Sequence, residues 1–152
     1  MQTRRQTLKQ SAIVAGLLAS TWLFPQYAMA AFNKAAFDAK SVAEVMKALG
    51  ASAPAESKDV SITGPDIAEN GAVVPIGVST ALTGVKQLLV LVEKNPSALV
   101  AVFNPTDSVD TNIATRTKMG QSSDVYAIAV MADGKALYAK KEIKVTLGGC
   151  GG

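Results

Sequence analysis

Seven short apolar runs follow Asp59, and residues that favour turns separate them. The runs span residues 60–63, 73–79, 86–92, 99–103, 113–119, 125–131 and 137–147. Gly64-Pro65 and Asn104-Pro105 end two of them, and Asp133-Gly134 between the last two is typical of a β-hairpin. Strands of this number and spacing predict an all-β fold, an immunoglobulin-like antiparallel β-sandwich of about seven strands.

A helix is predicted before the strands, over residues 34–49. Its apolar positions fall close to one face: Phe37, Val42, Val45, Met46 and Leu49. Ser41 and Glu44 have the spacing of a capping box, which allows the helix to restart there. Gly50 is a natural C-terminal stop, and residues 51–58 are predicted to be a linker.

Two of the predicted strands are apolar on both faces. Residues 88–92 and 125–131 have this pattern, whereas apolar and polar side chains alternate over residues 142–147. In a sandwich, one face of each strand packs in the core, and an apolar second face must be buried by another part of the chain or by another subunit. Ordinary core packing accounts for at least half of these residues, and the N-terminal helix and a partner subunit are both candidate covers.

The N-terminal residues have the parts of a cleaved signal peptide. Arg4, Arg5 and Lys9 form a basic region, and the apolar run over residues 12–24 is too short to span a membrane. Ala28-Met29-Ala30 is a cleavage pattern, so we expect cleavage after Ala30. The adjacent arginines favour the twin-arginine route into the periplasm over an ordinary Sec signal. That route carries folded proteins, so a partner without a signal can be exported with this chain.

Composition excludes most enzyme classes for the mature chain. Removal of residues 1–30 from the 152-residue sequence leaves 122 residues and takes three of its 15 basic residues, so 12 basic and 12 acidic residues remain. This balance gives no argument for nucleic acid or for an anionic membrane. One cysteine and no histidine exclude internal disulfides, histidine metal sites, Ser-His-Asp triads and Cys-His dyads. The carboxylates are scattered, and we predict no catalytic residue, metal site or cofactor.

The only cysteine lies in the stretch Gly148-Gly149-Cys150-Gly151-Gly152. Glycine has no Cβ and adopts both signs of φ, so we expect a thin, flexible arm after a carrier domain of residues 31–147. At roughly 3.3–3.6 Å per residue, the thiol reaches about 10 Å beyond Leu147. A thiol on such an arm suits delivery into another protein's active site. A frayed tail without a function is the alternative interpretation.

The end of the chain resembles that of the SoxY family, the sulfur carriers of periplasmic thiosulfate-oxidising (Sox) systems. The residues that carry this resemblance are 145–152 (VTLGGCGG), 116–124 (RTKMGQSSD) and 67–71 (IAENG). With the twin-arginine-like signal, the resemblance covers essentially the whole precursor. It implies that the Cys150 thiol covalently holds the sulfur substrate and that the glycines beside it keep the arm narrow. Glu69, Asn70 and residues 119–124 are interpreted as turn, packing or docking positions.

The resemblance also implies a set of partners. A SoxZ-type subunit, which has no signal of its own, forms a heterodimer with the carrier. A c-type cytochrome enzyme couples thiosulfate to Cys150 as an S-thiosulfonate, and a metal-dependent hydrolase releases sulfate and leaves a persulfide. In some organisms a molybdenum–haem dehydrogenase then oxidises the outer sulfur. On this interpretation the chain is a covalent substrate carrier and not an enzyme.

Two other interpretations of the tail remain. Ubiquitin-like sulfur carriers also end in Gly-Gly, but their activation needs ATP, and their helix does not precede all the strands as it does here. The second is an exported structural or adhesive β-sandwich in which Cys150 forms an inter-chain disulfide. Replacement of Cys150 by serine would then abolish a dimer and leave sulfur oxidation unchanged.

Overall fold

The computed structural model describes residues 33–106 and 110–146. Within these residues the chain forms two helices, α1 (Lys34–Asp38) and α2 (Val42–Ala48). Its strands are β1 (Ala55–Glu56), β2 (Val60–Thr63), β3 (Ile67–Ala68), β4 (Val74–Thr80), β5 (Val85–Val92), β6 (Leu99–Phe103), β7 (Asn112–Thr117), β8 (Ser123–Met131) and β9 (Ala136–Val145). The predicted signal and glycine arm lie outside the described residues, as does Leu147 at the predicted end of the last strand.

The strands form two sheets. The large sheet has the order β1-β9-β8-β5-β6, with β3 also paired to β9, and the small sheet has the order β2-β4-β7. The pairs among the seven longer strands are antiparallel. The first, second and fifth of these seven form the small sheet, and the others form the large one, as in immunoglobulin-like sandwiches. The predicted fold class is therefore confirmed.

Two short strands differ from the sequence prediction. The predicted linker over residues 51–58 contains β1, which pairs in parallel with Leu137 and Tyr138 of β9, so that prediction was wrong at this position. β3 pairs with β9 in the same way and was not predicted at all. Both have two residues, which is too short for an alternating pattern to show in the sequence.

The main core lies between the two sheets. Inward side chains of β4 meet those of β5, β8 and β9, and each of them is almost completely buried: Val74, Ile76, Val78, Leu88, Val90, Val92, Val125, Ala127, Ala129 and Ile143. Along β4 buried residues alternate with exposed or half-buried ones. This alternation follows from the two-residue period of a strand with one wet face.

The helices cover the other face of the large sheet. Leu89, Leu91, Ile128 and Val130 point away from the main core and form a second buried cluster with α1 and α2. The prediction that the N-terminal helical segment covers an apolar strand face is confirmed. Both faces of β5 and the apolar part of β8 are thus covered by the chain itself, so these strands require no partner subunit.

The helical segment breaks where the capping box was predicted. Ser41 Oγ accepts a hydrogen bond from the Glu44 amide at 3.3 Å, and Glu44 Oε2 accepts one from the Lys40 amide at 2.9 Å. Gly50 ends α2 with a φ of 67°, a conformation that glycine adopts without strain. No helix within residues 33–106 and 110–146 has the length and apolar character needed to cross a bilayer.

Candidate functional site

The predicted attachment residue lies outside the described part of the chain. This holds for Cys150 and for Gly148, Gly149, Gly151 and Gly152, as it does for Arg4, Arg5 and the cleavage position at Ala30. The last described residue, Thr146, precedes Cys150 by four positions. The structure therefore defines the place from which the predicted arm starts. We call residues 144–146 the arm root.

One edge of the arm root is held by β3. The pairing of β8 with β9 ends at Ile143, so the arm root extends past the end of β8. On the opposite edge, the Lys144 amide donates to the carbonyl oxygen of Asp66 at 3.0 Å. The Thr146 amide donates to the carbonyl oxygen of Ala68 at 3.1 Å. These bonds continue the sheet along the arm root after its regular neighbour has ended.

The other edge of the arm root is closed by a side chain. The Val145 amide donates to Oγ of Ser122 at 2.9 Å. Ser122 directly precedes β8, and its hydroxyl takes the place that a strand carbonyl would have in a longer ladder. The amides of all three arm-root residues are therefore hydrogen-bonded, which fixes the backbone up to Thr146.

Gly71 packs directly on the arm root. A Cβ at this position would lie 2.5 Å from the carbonyl oxygen of Met119 and 2.8 Å from Cγ1 of Val145. The Gly71 carbonyl accepts a hydrogen bond from the Met119 amide at 2.7 Å, and the Met119 side chain is fully buried. The glycine of the IAENG stretch is thus required by close packing of two backbone segments.

The segment that carries Ser122 is itself held by a neighbouring turn. Nδ2 of Asn95 donates to the carbonyl oxygen of Lys118 at 2.7 Å. The Lys94 amide donates to Oγ of Ser123 at 3.0 Å. These contacts link residues 118–123 to the turn between β5 and β6, so the support of the arm root rests on regular structure.

An ion pair ties the start of β3 to β9. Nζ of Lys141 lies 2.8 Å from Oδ1 of Asp66 and donates to the carbonyl oxygen of Gly64 at 2.7 Å. The hydrogen bond and the charge of Lys141 lower the pKa of the Asp66 carboxyl below its usual range. The carboxyl is fully exposed, so water screens this attraction. The ion pair orients residues 64–66 beside the arm root.

The sequence analysis named the segments around the arm root, residues 67–71 and 116–124, but it did not predict the contacts that they make with it. Asn70 forms a turn, as interpreted from the sequence, because its side-chain oxygen accepts a hydrogen bond from the Ala72 amide at 2.9 Å. The role of Ser122 at the arm root was missed, since a serine before a strand has no distinctive pattern. Within residues 33–106 and 110–146, no group of three or more aspartate, glutamate, histidine or cysteine side chains is placed to hold a metal ion.

The chain is similar to proteins of known family and structure. A family model described as "Sulfur oxidation protein SoxY" matches residues 45–150, which include Cys150. The sulfur carrier protein SoxY from Chlorobium limicola f. thiosulfatophilum is 32% identical, with a TM-score of 0.56, over 63% of this chain and 87% of that chain. A superoxide reductase (neelaredoxin) from Ignicoccus hospitalis is 17% identical, with a TM-score of 0.51, over 66% and 87%, a likeness of fold alone. No curated protein matches the chain in sequence.

Proposed function

The chain belongs to the SoxY family of sulfur oxidation proteins, and we propose that it holds sulfur intermediates of periplasmic thiosulfate oxidation on the thiol of Cys150. The observation that carries the proposal is that the matched region, residues 45–150, ends at the only cysteine of the chain. The fixed arm root supports it, because a rigid support followed by glycines suits a carrier arm. The chain itself is a carrier, and its partners perform the reactions.

The distance between the arm root and the thiol sets how far the carrier can reach. Cys150 follows Thr146 by four residues, and an extended chain spans roughly 3.3–3.6 Å per residue. The thiol therefore lies at most about 14 Å from Thr146. Gly148 and Gly149 add no side chains directly before Cys150, so the last part of this stretch fits a channel too narrow for a substituted peptide.

The chemistry at Cys150 proceeds in steps that partner enzymes catalyse. A c-type cytochrome enzyme joins the Cys150 sulfur to the outer sulfur of thiosulfate. The thiol proton goes to solvent, and the two electrons leave one at a time through the haem to a further electron carrier. A hydrolase then adds the oxygen of water to the sulfonate group, which leaves as sulfate. A persulfide remains on Cys150, and protons are released. Where a molybdenum–haem dehydrogenase is present, it oxidises the outer sulfur to a sulfonate with oxygen atoms from water. The electrons leave through its haem to a further electron carrier, and the protons go to solvent.

Partner and export proposals rest on the sequence. Arg4 and Arg5 support export by the twin-arginine route, with cleavage after Ala30, into the periplasm. A SoxZ-type subunit is the proposed heterodimer partner and travels with the folded carrier.

The exposed edge of the large sheet is a candidate place for this subunit. The edge strand β6 consists of five uncharged residues, Leu99–Phe103, without lysine or proline to block pairing.

Replacement of Cys150 tests the proposal in cells. In a strain that oxidises thiosulfate and lacks its own copy of this gene, the Cys150→Ser variant is expected to abolish thiosulfate oxidation. A Ser61→Ala variant, which changes an exposed position on β2 and leaves the thiol intact, is the control and should restore the activity. Restoration by Cys150→Ser would contradict the proposal and favour a structural protein with an inter-chain disulfide.

A further inference from the structure

Two exposed hydrophobic side chains flank the arm root. Ile67 is 57% exposed and Val73 is 51% exposed, and no other large hydrophobic side chain within the described residues is as exposed. Ile67 pairs with Lys144 of the arm root, and Val73 lies two residues after Gly71, which packs on Val145. Single exposed apolar residues are common on protein surfaces, but both of these lie in one seven-residue segment beside the arm root.

We propose that residues 67–73, the docking loop, form the surface on which the c-type cytochrome enzyme that loads thiosulfate rests while Cys150 lies in its active site. Ile67 and Val73 are the apolar contacts of this surface. The inference rests on the proposed function of Cys150 and adds a binding surface on the body of the carrier.

The short reach of the arm brings the enzyme to the docking loop. Cys150 lies at most about 14 Å from Thr146, so the reacting centre of an enzyme that meets the thiol lies within about that distance of the arm root, and the outer surface of the enzyme lies closer still. Thr146 is hydrogen-bonded to the carbonyl oxygen of Ala68, inside the docking loop. The wall around the channel mouth therefore meets the docking loop.

The docking loop is fixed before any enzyme binds. The Lys144 amide holds Asp66 directly before the docking loop, the Thr146 amide holds Ala68 inside it, and Gly71 is packed against Met119 in its middle. Residues paired across two strands share a face, so Ala68 lies on the inner face with Val145, and Ile67 lies on the outer face with Lys144. A surface that is already ordered loses little conformational entropy on binding, which favours a small contact.

The chemistry of the docking loop indicates the kind of partner. Two apolar side chains stand among exposed polar and charged groups, namely Glu69, Asn70 and Lys144. This composition fits a weak, transient contact rather than a permanent interface, which is larger and more apolar. The expected partner surface is the mouth of a narrow enzyme channel with an apolar rim and polar groups around it.

The double variant Ile67→Thr, Val73→Thr tests the inference, because threonine keeps the β-branched shape and removes apolar contact. The mature chain, with any subunit that co-purifies, is titrated against the c-type cytochrome enzyme of the same organism with thiosulfate, and haem reduction is followed. Loss of two apolar contacts is expected to raise the KM for the carrier about tenfold with kcat within about twofold. Ala81→Ser, an exposed site at the other end of β4, is the matched control and should leave the KM unchanged.

The other possible results separate a failure of the inference from a failure of the proposed function. An unchanged KM for the double variant overturns the inference. Loss of the co-purifying subunit from the double variant overturns it as well, whatever the KM, since the loop then belongs to the subunit interface. Absence of haem reduction with the unsubstituted chain instead contradicts the proposed function, and the inference with it. Urea unfolding checks that the variants fold. If the double variant does not fold, the nearly isosteric Val73→Thr variant alone gives the same test, with a smaller expected rise in KM.

Discussion

The amide nitrogen of Val145 lies 2.9 Å from Oγ of Ser122, at the point where β9 has passed the end of β8. Regular strand pairing ends at Ile143, and the serine hydroxyl supplies the next acceptor on that edge. Because the carbonyl oxygens of Asp66 and Ala68 accept from the Lys144 and Thr146 amides on the other edge, the backbone is fixed up to Thr146. A single side chain thus completes the support of the arm root on the edge that β8 no longer covers.

Removal of this hydroxyl is expected to destabilise the domain. Ser122→Ala leaves the Val145 amide without its acceptor in a half-buried place, and we expect a loss of about 1 kcal/mol in the free energy of unfolding. Urea unfolding followed by circular dichroism measures the loss. Ser122→Thr keeps the hydroxyl and is the matched control. Equal stability of Ser122→Ala and the parent protein would show that this hydrogen bond does not hold the arm root.

A methyl group at position 71 is expected to be poorly tolerated. Gly71→Ala places Cβ 2.5 Å from the Met119 carbonyl oxygen, which is backbone and cannot rotate away, so we expect about 2 kcal/mol of destabilisation. Gly120→Ala is the control in the same region, because no atom lies within 4 Å of the place that its methyl group would occupy and its φ is not positive. It should stabilise the protein by about 0.5 kcal/mol by restricting the unfolded chain. The account of Gly71 fails if both variants unfold at the same urea concentration.

Acid is expected to weaken the ion pair beside the arm root. The pKa of Asp66 is lowered in the folded protein by Lys141, whereas it is about 3.9 in an unfolded chain. Between these two values the unfolded state binds more protons, so the contribution of the pair is present above about pH 4 and is lost as the pH falls through the folded pKa. Asp66→Asn should therefore unfold at a lower urea concentration than the parent at pH 7, and this difference should shrink as the pH falls below about 4. A difference of equal size at pH 7 and near pH 2 would contradict this account.

Much of the sandwich could be predicted because its long strands have strong patterns. The run that is apolar on both faces, residues 88–92, lies in β5, and the alternating residues 142–145 lie in β9. β2 and β6 begin and end as predicted. Asp133-Gly134 forms the predicted turn, with Gly134 at a φ of 85°. The predicted strand over residues 113–119 ends two residues early, at Thr117, because Met119 leaves the sheet to pack in the core beside Gly71.

The support of the arm root could not be predicted, because it depends on contacts between distant residues. β3 has two residues and becomes a strand only through its pairing with β9, 77 positions further along the chain. The bond from Val145 to Ser122 joins residues 23 positions apart and leaves no periodic signal in the sequence. The IAENG stretch was noticed through family resemblance, but its function as packing for the arm root follows only from the structure.

Intact-protein mass spectrometry tests the central claim most directly. The mature chain is isolated without reductant from cells that are oxidising thiosulfate, and its mass is compared with that of the Cys150→Ser variant. The account predicts added masses of sulfur or thiosulfate that reductant removes and that the variant lacks, on a chain that begins after Ala30. An unmodified chain, or only a disulfide-linked dimer, would contradict the carrier function.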